Sequence, residues 1–150
     1  MRDPGQEPSE TAELTGEECL RLLAVHSFGR LAVGIGEGAP VIRPLNYAFD
    51  ERSKAVILRI GDGSTLHAVS HSAKAAFEID GIDEHAKTGW SVIVTGVAEM
   101  VTSAAEIARL ERDAAVRWTT GSRLRWVVIR AGTFSGRRIL SAAERASGAV

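Results

Sequence analysis

Four successive positions in this chain, Ala55-Val56-Ile57-Leu58, are apolar. A strand with one wet face alternates apolar and polar residues. An uninterrupted apolar strand is covered on both faces. The segment Lys54 to Ile60 must therefore lie inside a larger assembly of short elements. It ends on a charged residue, Arg59, and runs straight into Gly61-Asp62-Gly63-Ser64-Thr65-Leu66.

The surrounding segments read mostly as strands. Arg30 to Ile35 alternates, with Leu31, Val33 and Ile35 on one side, and Gly36-Glu37-Gly38 turns the chain into a second strand, Val41 to Phe49. Pro44 interrupts that strand. Lacking an N–H, it belongs at an edge, a bulge or a break that faces a ligand. Asp50 to Ser53 turns into Lys54–Ile60, and Ala75 to Asp80 is a further strand. Gly81 to Thr88 reads as a polar loop, and Trp90 to Val101 as a long strand bent at Gly96. Leu124–Arg130 and Thr133–Leu140 complete about six or seven strands.

Short helices flank them. Thr15-Gly16-Glu17-Glu18 has capping-box spacing and opens a helix that carries Cys19, Leu22, Leu23 and His26 on one face, with Leu14 set to staple against Cys19 and Gly29 as its stop. Ser103-Ala104-Ala105-Glu106 opens another, with Ile107, Leu110 and Ala114 on one face, and Leu66 to Ser72 makes a short third. Strands in this number must close or pair to hide their edges. The expected fold is mainly β with flanking helices (α+β): an antiparallel β-barrel of about six or seven strands. The barrel domain spans residues 14–140, between a disordered tail over 1–13 and a flexible, fraying tail over 141–150.

Composition sets the outer bounds. A chain of 150 residues has room for one domain with one sizeable core. Its net charge of −1 creates no global field toward nucleic acid or anionic membrane. A local basic strip of Arg117, Arg123, Arg125, Arg130, Arg137 and Arg138 reads as solvated surface. Cys19 is the only cysteine, so no disulfide can form within the chain. With no long apolar segment and no secretory leader pattern, the expectation is a cytoplasmic protein.

The chemistry candidates centre on the glycine turn. Arg59, at a strand end, offers a planar fork suited to phosphate. Gly61 and Gly63 let the backbone approach a ligand, and Ser64 and Thr65 add hydroxyls and N–H groups. The segment is no P-loop, since Gly-Lys-Ser/Thr is absent. It equally fits a tight turn with an ordinary helix cap. Pro44-Leu45-Asn46-Tyr47 could line a flat heterocycle, or form an edge strand with a half-buried tyrosine. Trp90-Ser91 could wall a cofactor or pack at the barrel mouth. His67 and His71 have the i, i+4 spacing of a zinc pair but lack the accompanying glutamate pattern, so no metal is expected. No nucleophile elbow and no converging carboxylate pair appear, which favours a cofactor that carries the chemistry.

Taken in order, Gly29-Arg30-Leu31-Ala32-Val33, Pro44-Leu45-Asn46-Tyr47, Arg59 to Leu66, Ala76-Phe77-Glu78-Ile79-Asp80, Gly89-Trp90-Ser91-Val92 and Thr133-Phe134-Ser135-Gly136-Arg137-Arg138 resemble the pyridoxamine 5′-phosphate oxidase-like flavoproteins, in the branch near the nitroimidazole-resistance proteins. The resemblance runs from Leu14 to Leu140. It implies a split β-barrel that forms a homodimer, with FMN, or alternatively a deazaflavin or haem, at the subunit interface. Arg59, Gly63, Ser64, Thr65 and Leu66 would hold the flavin phosphate. Pro44, Leu45, Asn46 and Tyr47 would line the ring. Trp90 and Ser91 would follow the ribityl chain or the ring, and Arg137, with Trp118, would approach from the C-terminal part, in one arrangement that of the other subunit.

The resemblance also implies an oxidoreductase passing hydride or electrons to a small flat substrate, nitro-aromatic or quinone-like, with no nucleic acid and no membrane as partner. The alternative is a non-catalytic module that sequesters flavin, deazaflavin or haem. One position departs from the pattern. Relatives often carry Gly-Thr-Lys-Leu where this chain has Gly63-Ser64-Thr65-Leu66, so a positive charge is missing unless Arg59 or His67 compensates.

Overall fold

The strands pair into a single antiparallel sheet. The computed structural model describes residues 10–34, 36–70, 73–113 and 124–148, which form eight strands and four helices. The strands are β1 (Thr11–Glu13), β2 (Phe28–Val33), β3 (Val41–Asn46), β4 (Ala48–Asp50), β5 (Ala55–Ile60), β6 (Ala73–Asp83), β7 (Thr88–Met100) and β8 (Arg125–Ile139). The helices are α1 (Gly16–Val25), α2 (Ser64–Ser70), α3 (Ala104–Asp113) and α4 (Ala142–Ser147). Among these residues no helix is long and apolar enough to cross a membrane.

The hydrogen-bonded order is β3-β2-β6-β7-β8-β5-β4, with β1 added beside β8. That order forces the shape. β3 and β4 stand at opposite ends of the path, yet only Tyr47 separates them in the chain. Adjacent Cα atoms are about 3.8 Å apart, so Asn46 and Ala48 lie within roughly 7 Å of each other. The sheet must curl until its two ends meet at Tyr47. β4 pairs only with the first half of β5, from Ala48↔Ile57 to Asp50↔Ala55. The second half of β5 approaches β3 without joining it in a ladder. The result is the split antiparallel barrel that the sequence leads one to expect.

The uninterrupted apolar run is covered on both faces. Val56, Leu58 and Ile60 point into the main core with Leu31, Phe77, Val94 and Ile129. Ile57 points the other way, into a second cluster with Val101, Leu110, Trp126 and Val128. Helix α3 roofs this second cluster with Leu110 and Ile107. Arg109 holds the helix to Asp50 at 3.7 Å, and Arg130 reaches its Glu106 at 3.7 Å. At its start Ser103 Oγ accepts from the Glu106 N–H.

Local signals explain much of the rest. Thr15 and Glu18 form a reciprocal capping box on α1. Leu14 and Cys19 meet over Gly136 of β8, where any side chain would strike both. The helix ends at Val25 with His26 extended. Gly29 is therefore not the stop; it lies inside β2, packed on the Phe77 ring.

Gly96 sits at the register shift between β7 and β8, and a Cβ there would lie 2.1 Å from the Arg130 carbonyl oxygen. The bend expected at Gly96 is this close approach. The single strand expected over Val41–Phe49 divides at Tyr47 into β3 and β4, and the two expected over Leu124–Arg130 and Thr133–Leu140 are one, β8. The polar segment over 81–88 is largely strand: β6 runs to Asp83, and the turn is only residues 84–87.

Both ends of the barrel domain gain an element. Thr11–Glu13 pairs with β8 and Ala142–Ser147 is a helix, where the sequence reads as tails. Residues 1–9, 149 and 150 lie outside the described residues, as do Trp118, Arg117, Arg123 and His71.

Candidate functional site

β3 and the end of β5 wall a cavity of about 310 Å3, lined by Arg43, Leu45, Arg59, Ile60, Gly61, Asp62, Gly63 and Thr65. It occupies the split of the barrel. The glycine turn that follows Arg59 is its floor. Gly63 has φ 146°, a conformation that a residue with a Cβ rarely adopts, and a Cβ there would meet no atom within 4 Å. The restriction is conformational, and it leaves open space above the turn. Thr65, the second residue of α2, is buried, at 7 % exposure. Leu66 packs against the main core and anchors the turn.

Arg59 is the site's most distinctive residue. It stands directly opposite Trp126 in the β5–β8 ladder, and its guanidinium carbon lies 4.8 Å from the indole centroid. This is a cation–π contact on a buried ring. Arg59 Nε is buried and has no hydrogen-bond partner among the described residues, and Trp126 Nε1 is in the same state. A buried donor without an acceptor costs about 1–3 kcal/mol, and an anion in the cavity would offer one.

The predicted site residues fall in three places. Leu45, Arg59, Gly63 and Thr65 come together in this cavity. Ser64 begins α2 beside them. Pro44 is exposed on edge strand β3, opposite Arg30. Asn46 and Tyr47 commit their side chains to the fold. Asn46 Nδ2 donates to the Ser27 carbonyl at 3.2 Å. The Tyr47 hydroxyl donates to the Leu23 carbonyl at 2.7 Å, and its ring meets Phe77 edge-on at 5.0 Å. Burial pushes the phenol's pKa far up, so it stays neutral.

Trp90 lines a separate cavity of about 600 Å3 with Leu22, Ile82 and Arg138, and its ring lies 4.9 Å from that of His26. Ser91 stands opposite Arg137 in the β7–β8 ladder, and both line a third groove of about 450 Å3 with Phe134 and Glu13. Within one chain these three places stay distinct. Arg137, Arg138 and Arg130 each face a carboxylate, on Glu13, Glu144 and Glu106 in turn, so these three charges of the basic strip are locally matched.

Arg43 is the residue that sequence reading passes over. On β3 it shares a face with Leu45, two positions on, which is the period of a strand. That spacing was the available signal. The described residues hold no group of three or more metal-type ligands.

Comparison with known proteins gives this geometry its context. The family model described as pyridoxamine 5′-phosphate oxidase matches residues 15–138. The chain is 36% identical over 111 residues to the uncharacterized protein Rv0080 of Mycobacterium tuberculosis, covering 71% of this chain and 72% of that one. Its fold is similar to that of the FAD binding protein from Mycobacterium smegmatis, with TM-score 0.70 and 27% identity over 86% of this chain and 100% of that one. A conserved protein of unknown function from Corynebacterium diphtheriae is similar at TM-score 0.74 and 25% identity, over 88% and 100% of the two chains. With the matched region spanning the barrel from the α1 cap to the end of β8, the chain belongs to the pyridoxamine 5′-phosphate oxidase family.

Proposed function

We propose that this protein is a cytoplasmic, FMN-dependent oxidoreductase that binds the flavin by its phosphate and serves a small flat acceptor, nitro-aromatic or quinone-like. The observation that carries the reading is Arg59, half-buried on Trp126 with an unsatisfied Nε beside a glycine turn. The likeness to the FAD binding protein from Mycobacterium smegmatis supports a flavin as the ligand class.

The residues present fit a flavin phosphate. Arg59 supplies a permanent charge and a buried donor, Gly63 a backbone conformation that brings the chain close, and Thr65 a sheltered hydroxyl. When bound, a flavin supplies hydride and single-electron chemistry of its own. The protein's part is to hold the phosphate, exclude water and orient the ring. Asn46 and Tyr47 contribute by fixing the backbone of the β3–β4 corner, through their bonds to Ser27 and Leu23.

A homodimer completes the proposal. The exposed faces of Ile42, Ile93 and Val97 on the outer side of the sheet supply apolar surface for a second copy. Titrating purified protein with FMN, then reducing the complex anaerobically with NADPH and reoxidising it with a nitro-aromatic, tests the reading. Binding and turnover support it. Binding without turnover points to a sequestering module, and no flavin binding overturns it.

A further inference from the structure

The cavity is bounded by two strands that do not hydrogen-bond to each other. Arg43 and Leu45 come from β3, at one end of the sheet path. Arg59 and Ile60 come from β5, next to the other end. β4 shields β5 only as far as Ile57, so Leu58 to Ile60 lacks a partner strand on that side. At this point the barrel is held together by side chains and by the Tyr47 corner.

Two arginines line the cavity against one carboxylate, Asp62. Arg43 is exposed, and its guanidinium donates to the neighbouring Ile42 carbonyl at 3.2 Å, a contact within its own strand that costs little to exchange for a ligand. Arg59 is the opposite: preset on Trp126, with its Nε buried and unsatisfied. One arm is fixed and the other is mobile within side-chain reach.

We infer that a phosphomonoester dianion in this cavity clamps the split of the barrel, with Arg59 on β5 and Arg43 on β3 as the two arms. Arg43 thereby restores, from the opposite strand, the positive charge absent at Thr65. Ligand binding and barrel closure are then one equilibrium, because the anion supplies the cross-link that the β3–β5 gap lacks. This rests on the phosphate-site reading above, but not on the flavin.

Hydrogen exchange on the full-length protein tests the clamp, using inorganic phosphate against chloride at matched ionic strength, and FMN against riboflavin. The expected result is that phosphate or FMN slows exchange in both β3 and the end of β5, whereas chloride and riboflavin do not. Arg43→Gln should keep the β5 protection, lose that of β3, and weaken FMN binding by about tenfold. Its unliganded exchange should match that of the parent protein, since Arg43 is exposed. If β3 exchanges unchanged with both phosphate and FMN, or if Arg43→Gln binds FMN as the parent does, the clamp is overturned. FMN binding without β3 protection sinks the clamp and leaves the flavin reading standing. Phosphate protection of both strands without FMN binding does the reverse.

Discussion

Arg59 and Trp126 are direct cross-strand partners, and the guanidinium carbon of one stands over the indole of the other, 4.8 Å from the ring centre. Trp126 is itself fixed in the cluster beneath α3. The helix thus sets the position of a charge on the same face of the sheet. Arg59 is expected to act as an anchor and Trp126 as a positioning residue. Arg59→Ala should weaken FMN binding by at least about tenfold in a fluorescence titration, the loss of a charged hydrogen bond of roughly 1.5–3 kcal/mol. Trp126→Phe keeps an aromatic face and should cost less, about threefold. Unchanged affinity in Arg59→Ala removes the phosphate assignment.

Tyr47 joins the two ends of the sheet. Tyr47→Phe leaves the Leu23 carbonyl without its donor in a buried site and should lower stability by about 1–3 kcal/mol in a urea titration. FMN affinity should hardly move, because the hydroxyl serves the fold.

The same phenol predicts an alkaline limit. Its folded pKa is raised by burial, so the folded state keeps a proton that the unfolded chain gives up. Its contribution is intact below the ordinary tyrosine pKa of about 10 and is lost as pH climbs beyond it. Unfolding midpoints measured across alkaline pH should fall more steeply for the parent than for Tyr47→Phe. Parallel curves would show that another group sets the limit.

Gly96→Ala should be among the most damaging single changes. The added methyl would meet backbone, the Arg130 carbonyl at 2.1 Å, and a carbonyl in a ladder cannot rotate away. A loss of about 3 kcal/mol or more is expected, at or above the upper end for overpacking, read as a drop in the denaturation midpoint. A midpoint within error of the parent's would mean that the β7–β8 bulge relaxes freely.

At the C-terminus, Glu144 caps α4 and pairs with Arg138 at 2.7 Å. The backbone hydrogen bond from Ser141, then the Arg138 contact, hold its pKa down at about 2, against an ordinary 4.5. A depressed carboxylate stabilises above its ordinary pKa and loses that effect as pH falls toward the folded value. Protection factors of the α4 amides, referred to the intrinsic exchange rate at each pH, should fall between about pH 4.5 and 2, and Glu144→Ala should show low protection already at neutral pH. If the amides of the parent and of Glu144→Ala are equally protected at neutral pH, the cap does not hold α4.

What the sequence reveals follows from the range of each interaction. The Thr15–Glu18 box, the glycine turn after Arg59 and the covered strand Ala55–Leu58 are specified by neighbours in the chain, and all are legible. Asn46 and Tyr47 look available to a ligand because their commitments, to Ser27 and Leu23, lie 19 and 24 residues away. Helix α4 did carry a local signal, Ser141-x-x-Glu144, of the same form as the α1 cap. β1 has none, since three polar-flanked residues become a strand only when β8 stands beside them. The polar stretch at Gly81 and Ile82 is strand for a similar reason, its ladder partners being Trp90 and Gly89.

That last-placed strand carries a further consequence, for synthesis. Thr11 pairs with Ile139 and Ala55 with Arg130. Neither ladder can start while the C-terminal quarter of the chain is still unmade, although β2, β3 and β6 can already pair. Long-range pairing of this kind is slow and leaves edges bare in the meantime. On the ribosome, therefore, β1 is made before its partner by more than a hundred residues and docks late, and a stall between β6 and β8 leaves an open half-sheet with its apolar interior facing water.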